Sequence, residues 1–225
     1  MDGPGKRKRG ECVRIVVVSD THGLHEMLEI PDGDVFVHAG DIFFLSSLYT
    51  EETLKNRLKA FNEWLASLPH KEKIVIAGNH DNLLEASSDA KRILKSCTYL
   101  CNETIELKSS GLKIFGSPIS SSNGPLSINH AFQDSLMFDI EKAKSADILV
   151  LHGPPDSVPV VKRFVKESKP RLVIHGHVHE THGMSQPNDT TVVVNATTMG
   201  AKYSPTNPAV VIDFPLVTTK KRASL

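Results

Sequence analysis

The sequence predicts a layered α/β domain, and two patterns along the chain support this prediction. Short runs rich in valine and isoleucine recur, each short and apolar enough to form a buried strand. Stretches with a helical spacing of apolar residues alternate with these runs in the first half of the chain, an order typical of layered α/β domains. With 225 residues, 40% of them apolar, the chain is long enough for one domain with a substantial core.

The apolar runs define the predicted strands. Five runs are predicted as central strands, at residues 13–18, 35–37, 74–76, 148–151 and 172–174. Three more runs, at residues 113–115, 192–194 and 210–212, would add strands that a second sheet could hold. We therefore expect a single domain over residues 11–225, preceded by a flexible basic tail at residues 1–10.

The predicted helices lie between these strands. The best-defined helix covers residues 51–68, because Leu54, Leu58, Phe61 and Leu65 share one helical face and Pro69 ends the pattern. Two further helices are predicted within residues 83–95 and 132–146. Strand and helix therefore alternate through the first half of the chain.

Polar clusters follow the five central strands directly. The clusters are SDTHG at 19–23, HAGD at 38–41, AGNHD at 77–81, HGPP at 152–155 and HGHVH at 175–179. Because ligands bind outside the carboxyl ends of the strands in open α/β sheets, we expect these clusters to meet in one site. Four other histidines, His25, His70, His130 and His182, lie outside the clusters and are predicted as surface or loop residues.

The side chains in these clusters are typical metal ligands. Carboxylates, an amide and several imidazoles bind borderline divalent metals such as Zn, Fe and Mn well, and no thiolate belongs to the set. The clusters hold more donors than one tetrahedral metal needs, which favours a binuclear site. In such sites one carboxylate can bridge two metals about 3.5–4 Å apart.

These five clusters together resemble the motif pattern of the calcineurin-like metallophosphoesterases. That pattern is Asp-x-His, Gly-Asp, Gly-Asn-His-Asp/Glu, His and Gly-His-x-His, and all five blocks occur here in order between Asp20 and His179. Residues 32–41 (DGDVFVHAGD) and 173–179 (VIHGHVH) look most like the brain-type branch of metallophosphoesterase-domain-containing proteins. The resemblance implies a layered sandwich of two mainly mixed β-sheets flanked by helices, with the metal site at the carboxyl ends of the strands.

The resemblance also implies a role for each matching residue. It assigns one metal to Asp20, His22, Asp41 and His179, and the other to Asp41, Asn79, His152 and His177, with Asp41 as the bridge. A hydroxide between the metals would attack phosphorus, while His80 supports the leaving oxygen as general acid or hydrogen-bond donor. The implied cofactors are two divalent ions, Mn first, with Fe, Zn or Mg as alternatives.

One departure from the superfamily concerns the residues after Gly40-Asp41. Ser/Thr protein phosphatases continue this block with Asp-Arg, whereas this chain continues with Ile42, Phe43 and Phe44. The difference counts against a protein phosphatase. It also removes the usual Asp partner of His80, so that Asp81 or His38 is predicted to orient this histidine instead.

The expected substrate is a small phosphodiester, such as a cyclic nucleotide. Charges of about +4 from two metals, −2 from two carboxylates and −1 from a hydroxide leave about +1, which matches a singly charged diester. A nuclease or a phosphomonoesterase is an alternative. A non-catalytic metal-binding scaffold is another, because the resemblance extends to a retromer subunit that uses this fold chiefly for protein contacts.

Overall composition bears on location and partners. Lys plus Arg equals Asp plus Glu at 26 each, so net charge provides no attraction to nucleic acid or to an anionic membrane. The three cysteines form no CxxC pair and are read as reduced thiols, which favours the cytoplasm. The basic residues 6–9 could instead direct the protein to the nucleus. The sequence leaves the oligomeric state open.

Overall fold

Two β-sheets packed face to face form the centre of the protein. The structure is a computed structural model that describes residues 11–44, 50–86, 90–122, 124, 127–133, 138–200 and 202–216. The predicted basic tail at residues 1–10 lies outside the described residues.

The first sheet has five strands, in the order β11-β1-β2-β3-β4. The strands are β1 (Cys12–Val18), β2 (Val35–Ala39), β3 (Glu72–Ile76), β4 (Thr98–Tyr99) and β11 (Val210–Pro215). Strands β1 to β4 are mutually parallel, while β11 pairs antiparallel with β1. The carboxyl ends of β1, β2 and β3 therefore lie at the same edge.

The second sheet has six strands, in the order β5-β6-β7-β8-β10-β9. The strands are β5 (Glu103–Glu106), β6 (Lys113–Ser117), β7 (Ile148–Leu151), β8 (Leu172–His175), β9 (Gly183–Ser185) and β10 (Val192–Asn195). The four central strands are parallel and the two edge strands antiparallel. Both sheets are thus mixed, and every strand predicted from the sequence is confirmed.

The predicted helices are confirmed only in part. Helix α1 (Glu51–Ser67) is confirmed, with the side chain of Thr50 accepting the N–H of Thr53 at its start. The predicted helix within 83–95 is instead represented by two short helices, α2 (Asn82–Ala86) and α3 (Ala90–Ile93). Within 132–146 the described residues form one helical turn, α4 (Ile140–Ala143).

Two short helical segments escaped prediction. A 3₁₀ turn covers His25–Met27, and α5 (Pro159–Ser168) follows β7. Helix α5 begins with Pro159 in its first turn, where the missing N–H costs nothing, and ends at Lys169 in the left-handed conformation. None of the described helices is long and apolar enough to cross a membrane.

Alternating side chains of the strands build three apolar layers. Ile15 and Val17 of β1 point between the sheets, toward residues such as Val150 and Ile174 of the second sheet. The intervening residues of β1 point to the other face, where α1 packs through Leu58, Phe61 and Leu65. Helix α5 covers the outer face of the second sheet through Val161 and Phe164. The order of layers is helix, sheet, sheet, helix.

Two histidines contradict the prediction that they lie at the surface or in loops. His25 is 6% exposed and His70 is 2% exposed, whereas His130 is exposed as predicted. The His25 ring packs against the rings of Phe61 and Trp64 on α1, with centroids 5.0 and 4.8 Å away. Burial, with the nearby charge of Arg57, lowers the pKa of His25 to about 4. The sequence pattern could not distinguish such a histidine from a solvated one.

This burial predicts a loss of stability in acid that depends on His25. Between pH 6.5 and about 4 the unfolded chain binds a proton at His25 that the folded protein excludes, so the free energy of unfolding falls as pH falls. Replacing His25 with leucine should remove on the order of 2–3 kcal/mol from this dependence. Urea unfolding of both proteins at several pH values measures the difference. Parallel pH profiles would contradict the expectation.

Candidate metal centre

The five polar clusters meet at one edge of the two-sheet sandwich. They follow β1, β2, β3, β7 and β8, all of which end at this edge. The loop after β1 is joined to the loop after β2, because the N–H groups of Asp20 and His22 donate to the carbonyls of Gly40 and Asp41. The bridge between Ser19 and Thr197 connects the loop after β1 with the second sheet. Both sheets thus contribute side chains to one centre.

One group of donors surrounds Asp20. Among the described residues, the ligand atoms of Asp20, His22 and His179 lie within 4.8 Å of one another. Nε2 of His179 is 3.4 Å from the Asp20 carboxylate. Asp41 belongs to two neighbouring groups of the same kind, one with His22 and His80 and the other with Asp20 and His152. This arrangement suits the first predicted metal, with Asp41 placed between the two halves of the centre.

A second group of donors lies on the other side of Asp41. Oδ1 of Asn79 is 2.9 Å from Nε2 of His152 and 2.8 Å from Nδ1 of His177. Nε2 of His152 is 3.3 Å from Oδ1 of Asp41. The structure therefore brings together all seven residues that the sequence predicted as metal ligands.

The donor atoms are available for a metal because backbone carbonyls fix the ring tautomers. Nδ1–H of His152 donates to the carbonyl of Ala39 at 3.0 Å, and Nδ1–H of His22 donates to that of Phe43 at 3.3 Å. Nε2 of His22 then carries a lone pair toward the centre, as in many metal-binding histidines, whereas Nε2 of His152 lies 2.9 Å from Oδ1 of Asn79 and would give up its proton to a bound metal. Nε2 of His22 is buried without a hydrogen-bond partner, which is costly unless another group occupies its lone pair. The residues present therefore fit divalent metals.

Backbone strain is concentrated in the same loops. Four predicted ligands are non-glycine residues with positive φ: Asp20 at 55°, His22 at 47°, Asp41 at 53° and His177 at 70°. Such conformations are uncommon outside glycine, and they cluster at functional sites where the surrounding structure enforces them. The hydrogen bonds between the loops supply that enforcement here, and they keep the donors pointing inward.

Asp81 and His38 stabilise these loops through hydrogen bonds. The buried carboxylate of Asp81 accepts the N–H groups of Ile42, Phe43 and Gly78, at 3.1, 3.2 and 2.8 Å, and so ties the loop after β2 to the loop after β3. His38 accepts the N–H of Gly40 and donates to the hydroxyl of Thr21. These contacts are with the loops and not with the His80 ring, so the assignment of Asp81 and His38 as residues that orient His80 stays a prediction.

His80 borders the donors without completing either group of four. Its Nε2 is 3.8 Å from Oδ2 of Asp41, and its Nδ1 is buried without a hydrogen-bond partner. Its backbone N–H donates to Oδ1 of Asp41 at 2.8 Å, which fixes the start of the loop. Burial lowers the pKa of the ring, although the charge of Asp41 opposes this effect. With its pKa lowered, the ring is mainly neutral at pH 7, and its single N–H can donate a hydrogen bond to a substrate oxygen that reaches it.

The two carboxylates and His152 form a strongly coupled electrostatic group. Burial alone would lower the pKa of His152, but Asp41 and then Asp20 raise it to about 10. Burial would raise the pKa of Asp20, but its bond to His179 and the charge of His152 bring it to about 2. A proton on His152 thus balances carboxylates that a divalent cation would otherwise neutralise. Metal binding would release this proton.

Gly176, which follows β8 of the second sheet, lies directly against the loop after β1. A Cβ at this position would meet Oγ of Ser19 and Oδ2 of Asp20. Replacing Gly176 with alanine should therefore displace the Asp20 carboxylate and weaken metal binding about 10- to 100-fold, the usual range for lost supporting contacts. Calorimetric titration with Mn²⁺ measures the change.

Gly111 offers the matched control for this substitution. It has a φ of 70° and its Cβ would have only an ordinary contact, 3.8 Å from Glu106. Alanine there should cost about 1 kcal/mol of stability and leave metal affinity unchanged. Equal metal affinities in the two variants would show that Gly176 does not position Asp20.

Two aromatic residues at the centre escaped prediction. The rings of Phe44 and Tyr203 lie 5.8 and 5.3 Å from the His22 ring. Phe44 follows the Gly40-Asp41 motif closely, but the sequence pattern gave it no role in the site. Tyr203 carries no local sequence signal, because only the folded chain brings the segment after β10 to the centre.

Known proteins resemble this chain over most of its length. The family model described as Calcineurin-like phosphoesterase matches residues 13–181. Metallophosphoesterase domain-containing protein 1 of Homo sapiens is 32% identical over 90% of this chain and 71% of that protein. The UPF0046 protein C25E10.12 of Caenorhabditis elegans is 33% identical over 91% of this chain and 82% of its own length.

A solved structure shares the fold at low sequence identity. The sulfate thiohydrolase SoxB of Thermus thermophilus, solved in complex with glycerol, superimposes with a TM-score of 0.55 at 12% identity. The match covers 96% of this chain and 58% of the SoxB chain. The arrangement of two mixed sheets flanked by helices is therefore confirmed by an independent structure.

Proposed function

The chain belongs to the calcineurin-like phosphoesterase family, and from this premise we propose that it is a two-metal phosphodiesterase acting on a small phosphodiester such as a cyclic nucleotide. The observation that carries the proposal is the convergence of the seven assigned metal donors with His80, whose ring lies within reach of His22 and Asp41 and is assigned here to the substrate. Membership of the family supports hydrolysis of a phosphoester, and the choice of a diester follows from the charges of the site.

The proposed assignment gives each metal four protein residues. Asp20, His22 and His179 would hold one metal, Asn79, His152 and His177 the other, and Asp41 would contact both. The donors suit Mn²⁺, which we propose as the cofactor, and they also suit Fe, Zn or Mg. Bound there, two metals would supply Lewis acidity and lower the pKa of a coordinated water.

The protein's own residues would then bind the phosphate and supply a proton to the leaving oxygen. His80 lies at the rim of the donor groups, with a free Nδ1 and with Nε2 directed at Asp41. In this position its ring can donate a hydrogen bond or a proton to the leaving oxygen as the bond to phosphorus breaks. The strained loops hold these groups before the substrate arrives, so little reorganisation is needed during the reaction.

The charge of the centre favours a diester over a monoester. Asp20 and Asp41 are both fully buried carboxylates, and burial makes their charges count strongly in the site. With two divalent metals and a hydroxide, the sum of charges is about +1, which a singly charged diester neutralises. A doubly charged monoester would leave excess negative charge in a buried place.

Two alternatives have less support. A scaffold that had lost catalysis would be expected to show an eroded site, whereas here both carboxylates, Asn79, His80 and both histidines of Gly-His-x-His converge. For a nuclease we would expect an excess of basic residues, but acidic and basic residues balance at 26 each. The three cysteines are free thiols, and we therefore propose that the protein works in the reducing cytoplasm.

Hydrolysis of two chromogenic esters tests the proposal. Bis(p-nitrophenyl) phosphate and p-nitrophenyl phosphate would be offered to the metal-free protein, with and without added Mn²⁺. We expect metal-dependent turnover with a higher kcat/KM for the diester, and cyclic nucleotides would follow. A faster monoester reaction would overturn the diester assignment, and no turnover of either ester by folded, metal-loaded protein would overturn the enzyme.

A further inference from the structure

Two exposed aromatic rings stand beside the donor groups. Of the large hydrophobic side chains that are exposed in the described part of the chain, the only aromatic ones are Phe44, 45% exposed, and Tyr203, 48% exposed. Their rings meet edge to face with centroids 5.7 Å apart. We call this pair the aromatic rim. Since exposed aromatic surface is costly in water, its concentration at one place suggests a ligand.

The aromatic rim borders the first donor group and the ring of His80. The Tyr203 ring lies 4.8 Å from the ring of His179 and 5.3 Å from that of His22. The Phe44 ring lies 5.9 Å from the ring of His80. A phosphoester bound to the donors and to His80 would therefore extend its organic group next to these two rings.

The backbone holds Tyr203 in this place at an energetic cost. Its φ is 52°, a left-handed conformation that a bulky residue rarely adopts. Two hydrogen bonds close the surrounding turn, from the N–H of Tyr203 to Gly200 and from the N–H of Gly200 to Ser204. A glycine or asparagine would satisfy the turn more easily. A strained aromatic residue facing a reaction centre points to a use for its ring.

We propose that the aromatic rim selects phosphoesters that carry a planar aromatic group, such as an aryl group or a nucleobase. This inference rests on the proposed function, because it places the phosphate at the metal donors. Aromatic rings bind one another in offset-stacked or edge-to-face arrangements, and a base stacked on an aromatic side chain gains enough affinity to discriminate it from an alkyl group. The two rings stand at an angle of 89°, so one could stack on the group while the other meets its edge.

Binding of two phosphonates tests the proposal without any turnover. Below their second pKa values, where the titration is done, phenylphosphonate and methylphosphonate each carry one negative charge, as a diester does, and they differ in bearing phenyl or methyl. Titration calorimetry with the Mn²⁺-loaded protein should show that phenylphosphonate binds about 10-fold more tightly. In the double variant Phe44→Leu, Tyr203→Leu this preference should fall to about two-fold or less. Nucleoside monophosphates and phenyl phosphate would then distinguish a nucleobase from a simple aryl group.

Two control variants separate the ring from general effects of mutation. Tyr203→Phe keeps the ring and should keep the preference for phenylphosphonate. Met27→Ala alters another exposed apolar side chain, 69% exposed and outside the aromatic rim, and should also keep it. Melting temperatures close to that of the wild type would show that the leucine variant is folded.

The outcomes distinguish the two proposals. Equal binding of both phosphonates to the wild type, or an unchanged preference in the leucine variant, would overturn the role of the aromatic rim and leave the phosphoesterase proposal standing. Binding of neither phosphonate by the metal-loaded wild type would count against the phosphate site itself, and the aromatic rim would fall with it.

Discussion

Replacement of His80 with alanine is expected to lower kcat for a chromogenic phosphodiester at least about 100-fold, the scale of a lost general acid or base. The reason is geometric: His80 is buried beside Asp41, with its Nδ1 free, and belongs to neither set of four proposed ligands. The variant should therefore bind as much metal as the wild type. Steady-state kinetics and metal analysis of the same preparation measure both quantities.

His182 provides the matched histidine control. It is only partly buried and its Nε2–H donates to the carbonyl of Pro208, away from the donors. His182→Ala should keep kcat within about two-fold of the wild type, as surface substitutions usually have small effects. If His80→Ala turned over the diester at the wild-type rate, His80 would have no role in the reaction. If it lost metal, His80 would be a ligand.

Replacement of Asp41 with asparagine should have a larger effect, because it removes the group proposed to contact both metals. Asp41 is 2% exposed, and its carboxylate accepts the N–H of His80 and lies 3.3 Å from His152. Asparagine has a similar shape but no charge, so it cannot balance two cations in a buried place. We expect metal content to fall from two ions per chain to one or fewer, and diester turnover to fall at least about 1,000-fold.

Asp213 is the control for the loss of a carboxylate. It lies on β11, pairs with Arg14 and is exposed, and Asp213→Asn should leave metal content and turnover unchanged. Two bound metals in folded Asp41→Asn would contradict the bridging role. Circular dichroism would check folding, because Asp41 also fixes the N–H of His80.

The central strands and the site could be predicted from sequence because two simple signals coincide. Runs such as Val16 to Val18 are apolar on both faces, as only a fully buried strand is, and polar donors follow each run without a gap. Once the strands are parallel, their carboxyl ends must lie together. Asp20 follows a strand of the first sheet and His177 follows a strand of the second. They lie together because the strands of each sheet end at the same edge and the two sheets pack face to face.

The helices and site residues that were not predicted from the sequence depend on contacts between distant parts of the chain or on local helix signals that the apolar pattern does not show. No helix was predicted between β7 and β8, where Pro159 opens α5 and the amphipathic face of this helix packs on the second sheet. The helix predicted within 83–95 is represented by two short segments. Tyr203 lies 24 positions beyond His179 in the chain, and only the return of the chain after β10 brings the two rings together.

A metal titration of catalytic activity tests the two-metal site most directly. Metal-free protein would be titrated with Mn²⁺ while hydrolysis of bis(p-nitrophenyl) phosphate is followed. The proposed site predicts that activity rises until two equivalents of metal per chain are bound and then stays constant, and that Asp41→Asn shows no such rise. Full activity at one equivalent, or no activity at any metal content in a folded protein, would contradict a two-metal phosphodiesterase.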